Sequence, residues 1–156
     1  MACKNNKNTK AIETKLVFDS KVKEEENIIV VEADEERLTQ VIYNILDNAF
    51  KFTDSYGSVR VTLEKKQEVQ GQGQTEQQHA IITIKDTGTG IDSEILPRLF
   101  TKFATKSHKG TGLGLYISKN IVEAHDGKLY AVNNPDGNGA TFTITLPLFN
   151  KEQKQE

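Results

Sequence analysis

Apolar residues at Leu38, Val41, Ile42, Ile45, Leu46 and Ala49 recur at three-and-four spacing. At about 100° per residue they stack into one stripe, which predicts a helix with a single buried face. Asp34 stands before it as an N-cap, and Glu35 and Glu36 fill the first turn, where the helix dipole favours negative charge. A second helical pattern covers residues 113–125, with Leu115, Ile117, Ile121 and Val122 facing inward and Gly127 placed to stop it. A shorter helix is expected over residues 93–100, capped by Ser93 and made irregular by Pro97. Enrichment in β-branched residues with partial alternation predicts strands at residues 16–20, 28–32, 59–64, 80–85, 128–133 and 141–147. The polar stretch 65–78, rich in Gly and Gln, is expected to form a hairpin loop. Residues 1–14 have the composition of a polar leader and residues 150–156 that of a charged tail, which leaves 15–149 as one domain. Strands and helices in this mixed order predict a sheet covered by helices on one face, a two-layer α/β sandwich.

Composition narrows the function classes. With 156 residues and 36% apolar content the chain can build one core. Its 20 basic and 22 acidic residues leave a net charge of -2, without the cationic excess that a nucleic-acid partner requires. The single cysteine, Cys3, rules out an intramolecular disulfide and a cysteine metal cage, and points to a reducing, cytoplasmic setting. No run of about eighteen apolar residues and no apolar signal core is present, so no membrane contact is expected of this fragment. A parent protein with a sensor region upstream is free to be membrane-anchored.

Three groups of residues carry candidate chemistry. Asn44, Asn48 and Lys51 fall at i, i+4 and i+7 of the first helix, within an arc of roughly 60° beside the apolar stripe. Asparagine is a mediocre helix former, and a solvated helix edge accounts for one such residue better than for this grouping. An amide oxygen is a suitable ligand for Mg²⁺ and a lysine a suitable counter-charge for phosphate. Next, Asp86-Thr87-Gly88-Thr89-Gly90-Ile91 puts a carboxylate at a strand end, followed by glycines against which a ligand can lie. That carboxylate can accept from an exocyclic amine such as adenine's, although a plain strand-ending turn has the same composition. The triplet 86–88 also occurs in aspartic proteases, but those need two copies and leave the rest of this chain unexplained. Finally, Lys109-Gly110-Thr111-Gly112-Leu113-Gly114-Leu115 runs straight into the second helix, whose N-terminal N–H groups suit a phosphate. The spacing is neither that of a P-loop nor that of the dinucleotide fingerprint. Between the glycine motifs, a segment with Phe100 and Phe103 at one end and Lys106, His108 and Lys109 at the other has the make-up of a lid, with both phenylalanines expected in the core.

In chain order, these pieces resemble the ATP-binding domain of sensor histidine kinases, within the superfamily of gyrase, heat-shock chaperone, histidine kinase and MutL proteins. Residues 44–53 look like its N box, 86–90 its G1 box, 100–103 its F box and 110–114 its G2 box. The resemblance covers about residues 16–148. It implies an α+β Bergerat fold, a mixed, mainly antiparallel sheet with about three helices on one face, and ATP held under a mobile lid. By the same resemblance Asn44, Asn48 and Lys51 would form the catalytic group, with Asn48 coordinating Mg²⁺. Asp86 would bind the adenine amine, and Gly88, Gly90, Ile91, Phe103, Lys106, Lys109, Gly110, Thr111, Gly112, Leu113 and Gly114 would shape the nucleotide site and lid.

Asn44 also selects a branch. The ATPase branches are expected to carry a glutamate base there, and an amide cannot take a proton from water, so hydrolysis should be slow. None of His79, His108 and His125 has the setting of the family's acceptor histidine, so a structural or solvent role is expected for each. The resemblance therefore implies as partners a dimerisation and phosphoacceptor helical domain and, downstream, a response regulator receiver. The fragment itself is expected to be monomeric. The rivals are an ATPase of the same superfamily and a nucleotide-switched binding module.

Overall fold

The computed structural model describes residues 15–20, 29–68, 77–105 and 110–149. The expected leader and tail, the middle of the polar loop, Ile28, Lys106, His108 and Lys109 lie outside the described residues.

Helix α1 (Glu35–Phe52) begins where its sequence dictates: the Asp34 side chain accepts from the backbone N–H of Arg37 at 3.0 Å. It ends at Thr53, whose hydroxyl turns back to the carbonyl of Ala49 at 2.6 Å. Val41, Ile45 and Ala49 are buried, while Leu38, Ile42 and Leu46 pack at the margin of the core. Full burial of a side chain the size of Ile45 contributes about 1.5–3 kcal/mol.

The strands β1 (Lys15–Ser20), β2 (Ser58–Glu68), β3 (Gln77–Asp86), β4 (Lys128–Asn133) and β5 (Ala140–Pro147) form one sheet in the order β1-β2-β3-β5-β4. The β1–β2 pair is parallel and the other three pairs are antiparallel. Alternate residues Val59, Ile84, Leu129, Phe142, Ile144 and Leu146 face the helices and fill the core with Ile121 and Val122 of α2 (Gly114–Glu123). On the other face Tyr130 and Val132 are exposed. This is the expected α+β sandwich, with a mixed, mainly antiparallel sheet.

Several expectations change. The described residues hold two α-helices, not three, because the stretch around Pro97 forms only a 3₁₀ turn, Leu96–Arg98, with the proline in its first turn. The strand expected at 28–32 is absent from its described part: residues 29–34 belong to no strand, and Val30 O accepts from Phe149 N at 2.8 Å. The hairpin loop is shorter than 65–78, since Lys65 to Glu68 still pair with β3. His79 consequently lies in β3 rather than at a loop end. At the end of α2 the left-handed residue is Asp126 (φ 55°), and Gly127 follows it, donating to Val122 O at 3.0 Å.

His125 joins the two helices. Its Nδ1 lies 2.7 Å from Ile121 O, and its Nε2 accepts from Asp34 N at 3.0 Å. With Nε2 accepting, Nδ1 carries the proton and donates to the Ile121 carbonyl.

Candidate functional site

A cavity of about 670 Å³ opens between α1, the end of β3 and the start of α2. Its size falls in the range of small-molecule sites. Asn44, Asn48, Lys51, Asp86, Gly90, Ile91, Gly110, Thr111, Gly112 and Gly114 all line it. Residues from three separate sequence motifs therefore share one space. Gly88, Phe103 and Leu113 do not line it.

The α1 side of the cavity is polar by construction. Asn44 Nδ2 donates to Ser118 Oγ at 3.2 Å and Gly114 O at 3.4 Å, tying α1 to the first turns of α2. This explains why Ser118 can be fully buried in the helix interface. Asn48 Nδ2 donates to Asn44 O at 2.9 Å, which leaves Oδ1 for a ligand. Lys51 pairs with Asp47 one turn earlier at 2.5 Å, an exposed contact of small intrinsic value.

At the opposite end, Asp86 is 3% exposed. Its Oδ1 accepts from Gly88 N at 2.9 Å and from Ala140 N at 3.2 Å. Both of these bonds fall on Oδ1, and Asp86 is among the residues that line the cavity. Gly88 is required by close approach: a Cβ there would lie 2.1 Å from Phe52 O. That approach, with Thr89 N donating to Phe52 O at 3.1 Å, holds the glycine loop against the end of α1.

The third wall is the start of α2. Leu113 caps it without a side-chain hydrogen bond, so the first N–H groups of the helix lack an internal acceptor and present partial positive charge. Gly114 and Leu115 of this turn line the cavity. The preceding loop is closed by Phe103 N donating to Gly112 O at 3.0 Å. Phe103 has a positive φ of 63° and is 67% exposed, so it is not the core residue expected. Phe100 does pack against the core, with Lys119 Nζ 5.7 Å from its ring centre.

Sequence reasoning missed twelve lining residues, among them Asp47, Thr89, Asp92, Ile95, Ala140 and Phe142. Asp47 and Thr89 sat inside the motifs already singled out. Ala140 and Phe142 carry no local mark, because they reach the site only through the pairing of β5 with β3. A second depression, about 540 Å³, lies along the outer side of α1 between Val31, Leu38, Ile42 and Leu46. It is lined mainly by apolar side chains and lacks converging polar groups, so the first cavity is the better ligand site. Among the described residues no cluster of three or more His, Cys, Asp or Glu side chains is placed to hold a metal, and no helix is long and apolar enough to cross a membrane.

An α+β sandwich with this cavity between its first helix, a strand-end aspartate and a glycine loop belongs to a recognisable class. Residues 33–150 match the family of histidine kinase-, DNA gyrase B- and HSP90-like ATPases. The sensor protein KdpD of Clostridium acetobutylicum is 40% identical over 134 residues, which is 81% of this chain and 14% of that protein. The sensor histidine kinase WalK of Bacillus subtilis is 34% identical over 134 residues, 82% of this chain and 20% of WalK. Among solved structures, the mycobacterial sensor histidine kinase MprB superposes with a TM-score of 0.66 at 28% identity, over 86% of this chain and 82% of the other. Full-length ShkA in complex with AMPPNP gives a TM-score of 0.66 at 27% identity, over 86% of this chain and 26% of the other. The chain belongs to the histidine kinase-, DNA gyrase B- and HSP90-like ATPase family, and within it is similar to the sensor histidine kinases WalK and MprB. It spans about a quarter or less of the length of such curated relatives.

Proposed function

We propose that this domain transfers the γ-phosphoryl group of ATP to a histidine presented by a separate dimerisation and phosphoacceptor helical domain, from which a response regulator receiver takes it. The observation that carries this reading is the joining of Asn44 and Asn48, Asp86 and the glycine loop around one nucleotide-sized cavity.

In this reading the adenine amine donates to Asp86 Oδ2, while Oδ1 stays committed to its two backbone donors. The triphosphate lies toward the N-terminus of α2, where Gly110, Thr111, Gly112 and Gly114 let the main chain approach it. Lys51 exchanges its exposed contact with Asp47 for phosphate oxygen.

The donor set fits Mg²⁺: the Asn48 side-chain oxygen is a hard ligand of the kind this ion takes, and Asn48 would hold it. When bound, the ion neutralises charge on the phosphates. The domain's own residues orient the chain for in-line attack. The incoming histidine nitrogen forms the N–P bond as the bond from the γ-phosphorus to its bridging oxygen breaks, and ADP leaves. Asn44, engaged with Ser118 and Gly114, offers no base to activate water.

The domain is proposed to act as a monomer on the cytoplasmic side, without nucleic acid as a partner. The test is to incubate it with γ-labelled ATP, Mg²⁺ and a dimerisation-helix fragment. Acid-labile, base-stable label on the fragment's histidine is expected. Steady phosphate release into water without labelled fragment would instead mark an ATPase.

A further inference from the structure

Asn133 and Asn134 end β4 and open the turn into β5, and the proposed chemistry leaves them unused. Asn133 reaches a segment 42 residues earlier in the chain: Oδ1 accepts from Ile91 N at 2.7 Å and Nδ2 donates to Ile91 O at 2.8 Å. One side-chain amide thus gives Ile91 the two bonds that a neighbouring strand would supply. Gly90 lies so close that a Cβ on it would stand 3.0 Å from Asn133 Oδ1.

Asn134 is 4% exposed, and its bonds run in three directions. Nδ2 donates to Asp86 O at 2.8 Å and to Asn138 O at 2.6 Å, while Oδ1 accepts from Thr141 Oγ1 at 2.6 Å. The turn held in this way presses Gly139 onto Asp86, where a Cβ would lie 2.2 Å from Asp86 O. It also aims Ala140 N at Asp86 Oδ1.

A buried asparagine with satisfied bonds stabilises a fold wherever it sits. These two do so from a turn whose contacts converge on Asp86, Gly90, Ile91 and Ala140, all of which line the cavity. We infer that Asn133 and Asn134 are positioning residues for base recognition, Asn134 fixing the Asp86 carboxylate so that Oδ2 meets the purine amine and Asn133 fixing the backbone wall beside it. The inference rests on the assignment of Asp86 to the base. A hydrogen bond is lost through small displacements, so loosening this support degrades selection of the base before it degrades binding of the phosphates.

The full chain and two variants test this. Asn134→Asp keeps the size of the side chain and the acceptor for Thr141 but removes the donor to Asp86 O. Asn133→Ala removes the clamp on Ile91. Calorimetric affinities for ATP and for inosine triphosphate, which carries a carbonyl oxygen where ATP carries the amine, are compared in Mg²⁺, with thermal melting as the check on folding. The unmodified chain is expected to prefer ATP by about tenfold or more. Each variant should lower that ratio by about threefold or more, by weakening ATP and leaving inosine triphosphate unchanged. Equal weakening of both nucleotides, or an unchanged ratio, in a folded variant overturns the inference. Should Asn134→Asp fail to fold, Asn133→Ala decides, because that side chain is exposed and outside the core. No preference in the unmodified chain overturns the assignment of Asp86 itself.

Discussion

Replacing Asp86 by asparagine changes one atom type at the end of β3. The carboxylate holds Gly88 N at 2.9 Å and Ala140 N at 3.2 Å through Oδ1 alone. An asparagine that keeps its oxygen on those two donors must turn its NH₂ toward the cavity, where the adenine amine is also a donor. A hydrogen bond to a charged group contributes about 1.5–3 kcal/mol. At about 1.4 kcal/mol per tenfold, its loss weakens ATP binding roughly 10- to 150-fold, before any donor–donor repulsion. The fold should lose only about 1 kcal/mol or less, because both backbone donors retain an acceptor. Titration calorimetry with ATP and Mg²⁺, alongside thermal denaturation of the same samples, measures both quantities. Affinity within about twofold of the unmodified chain, in a folded variant, would refute the assignment.

Asn48→Ala removes the amide oxygen proposed for the metal, and should slow phosphoryl transfer about 100-fold while leaving ATP binding in EDTA unchanged. A Mg²⁺ titration of transfer reads the first quantity and calorimetry the second; equal losses in both would argue that Asn48 contacts the nucleotide itself. His125→Ala removes the link between Asp34 N and Ile121 O and should cost about 1–2 kcal/mol of stability in urea denaturation, with ATP affinity unaltered. A stability loss too small to measure would mean that water replaces the imidazole without penalty.

The first helix was legible in the sequence because three independent features agree on it: the Asp34 cap, the acidic first turn and the stripe ending at Ala49. Residues 28–32 misled because a β-branched run marks an extended backbone without showing that a strand lies beside it to pair with. Val31 packs against the core while its neighbour Val30 is exposed and accepts from Phe149 N. The far ends of β2 and β3 were hidden for the opposite reason. Lys65 to Glu68 and Gln77 to His79 pair beyond most of the core, where side chains are polar and the alternation fades. In the site, the polar arc of α1 and both glycine motifs stood out because each breaks a local expectation. Asn133 and Asn134 resemble ordinary turn residues, and nothing near them in the chain reveals contacts 42 and 48 positions away. Phe103 was misjudged on composition alone: it follows a core aromatic by three residues, yet its own backbone takes a positive φ and its side chain is exposed.

The claim at the centre of this account is that one nucleotide spans the cavity from Asp86 to the start of α2. Amide NMR spectra recorded while AMPPNP and Mg²⁺ are added test it most directly. Shifts concentrated at Gly88, Ile91 and Ala140 for the base, and at Asn48, Gly114 and Leu115 for the phosphates, are the predicted result. Shifts confined to the apolar depression along Val31, Leu38, Ile42 and Leu46, with the Asp86 end silent, would contradict it.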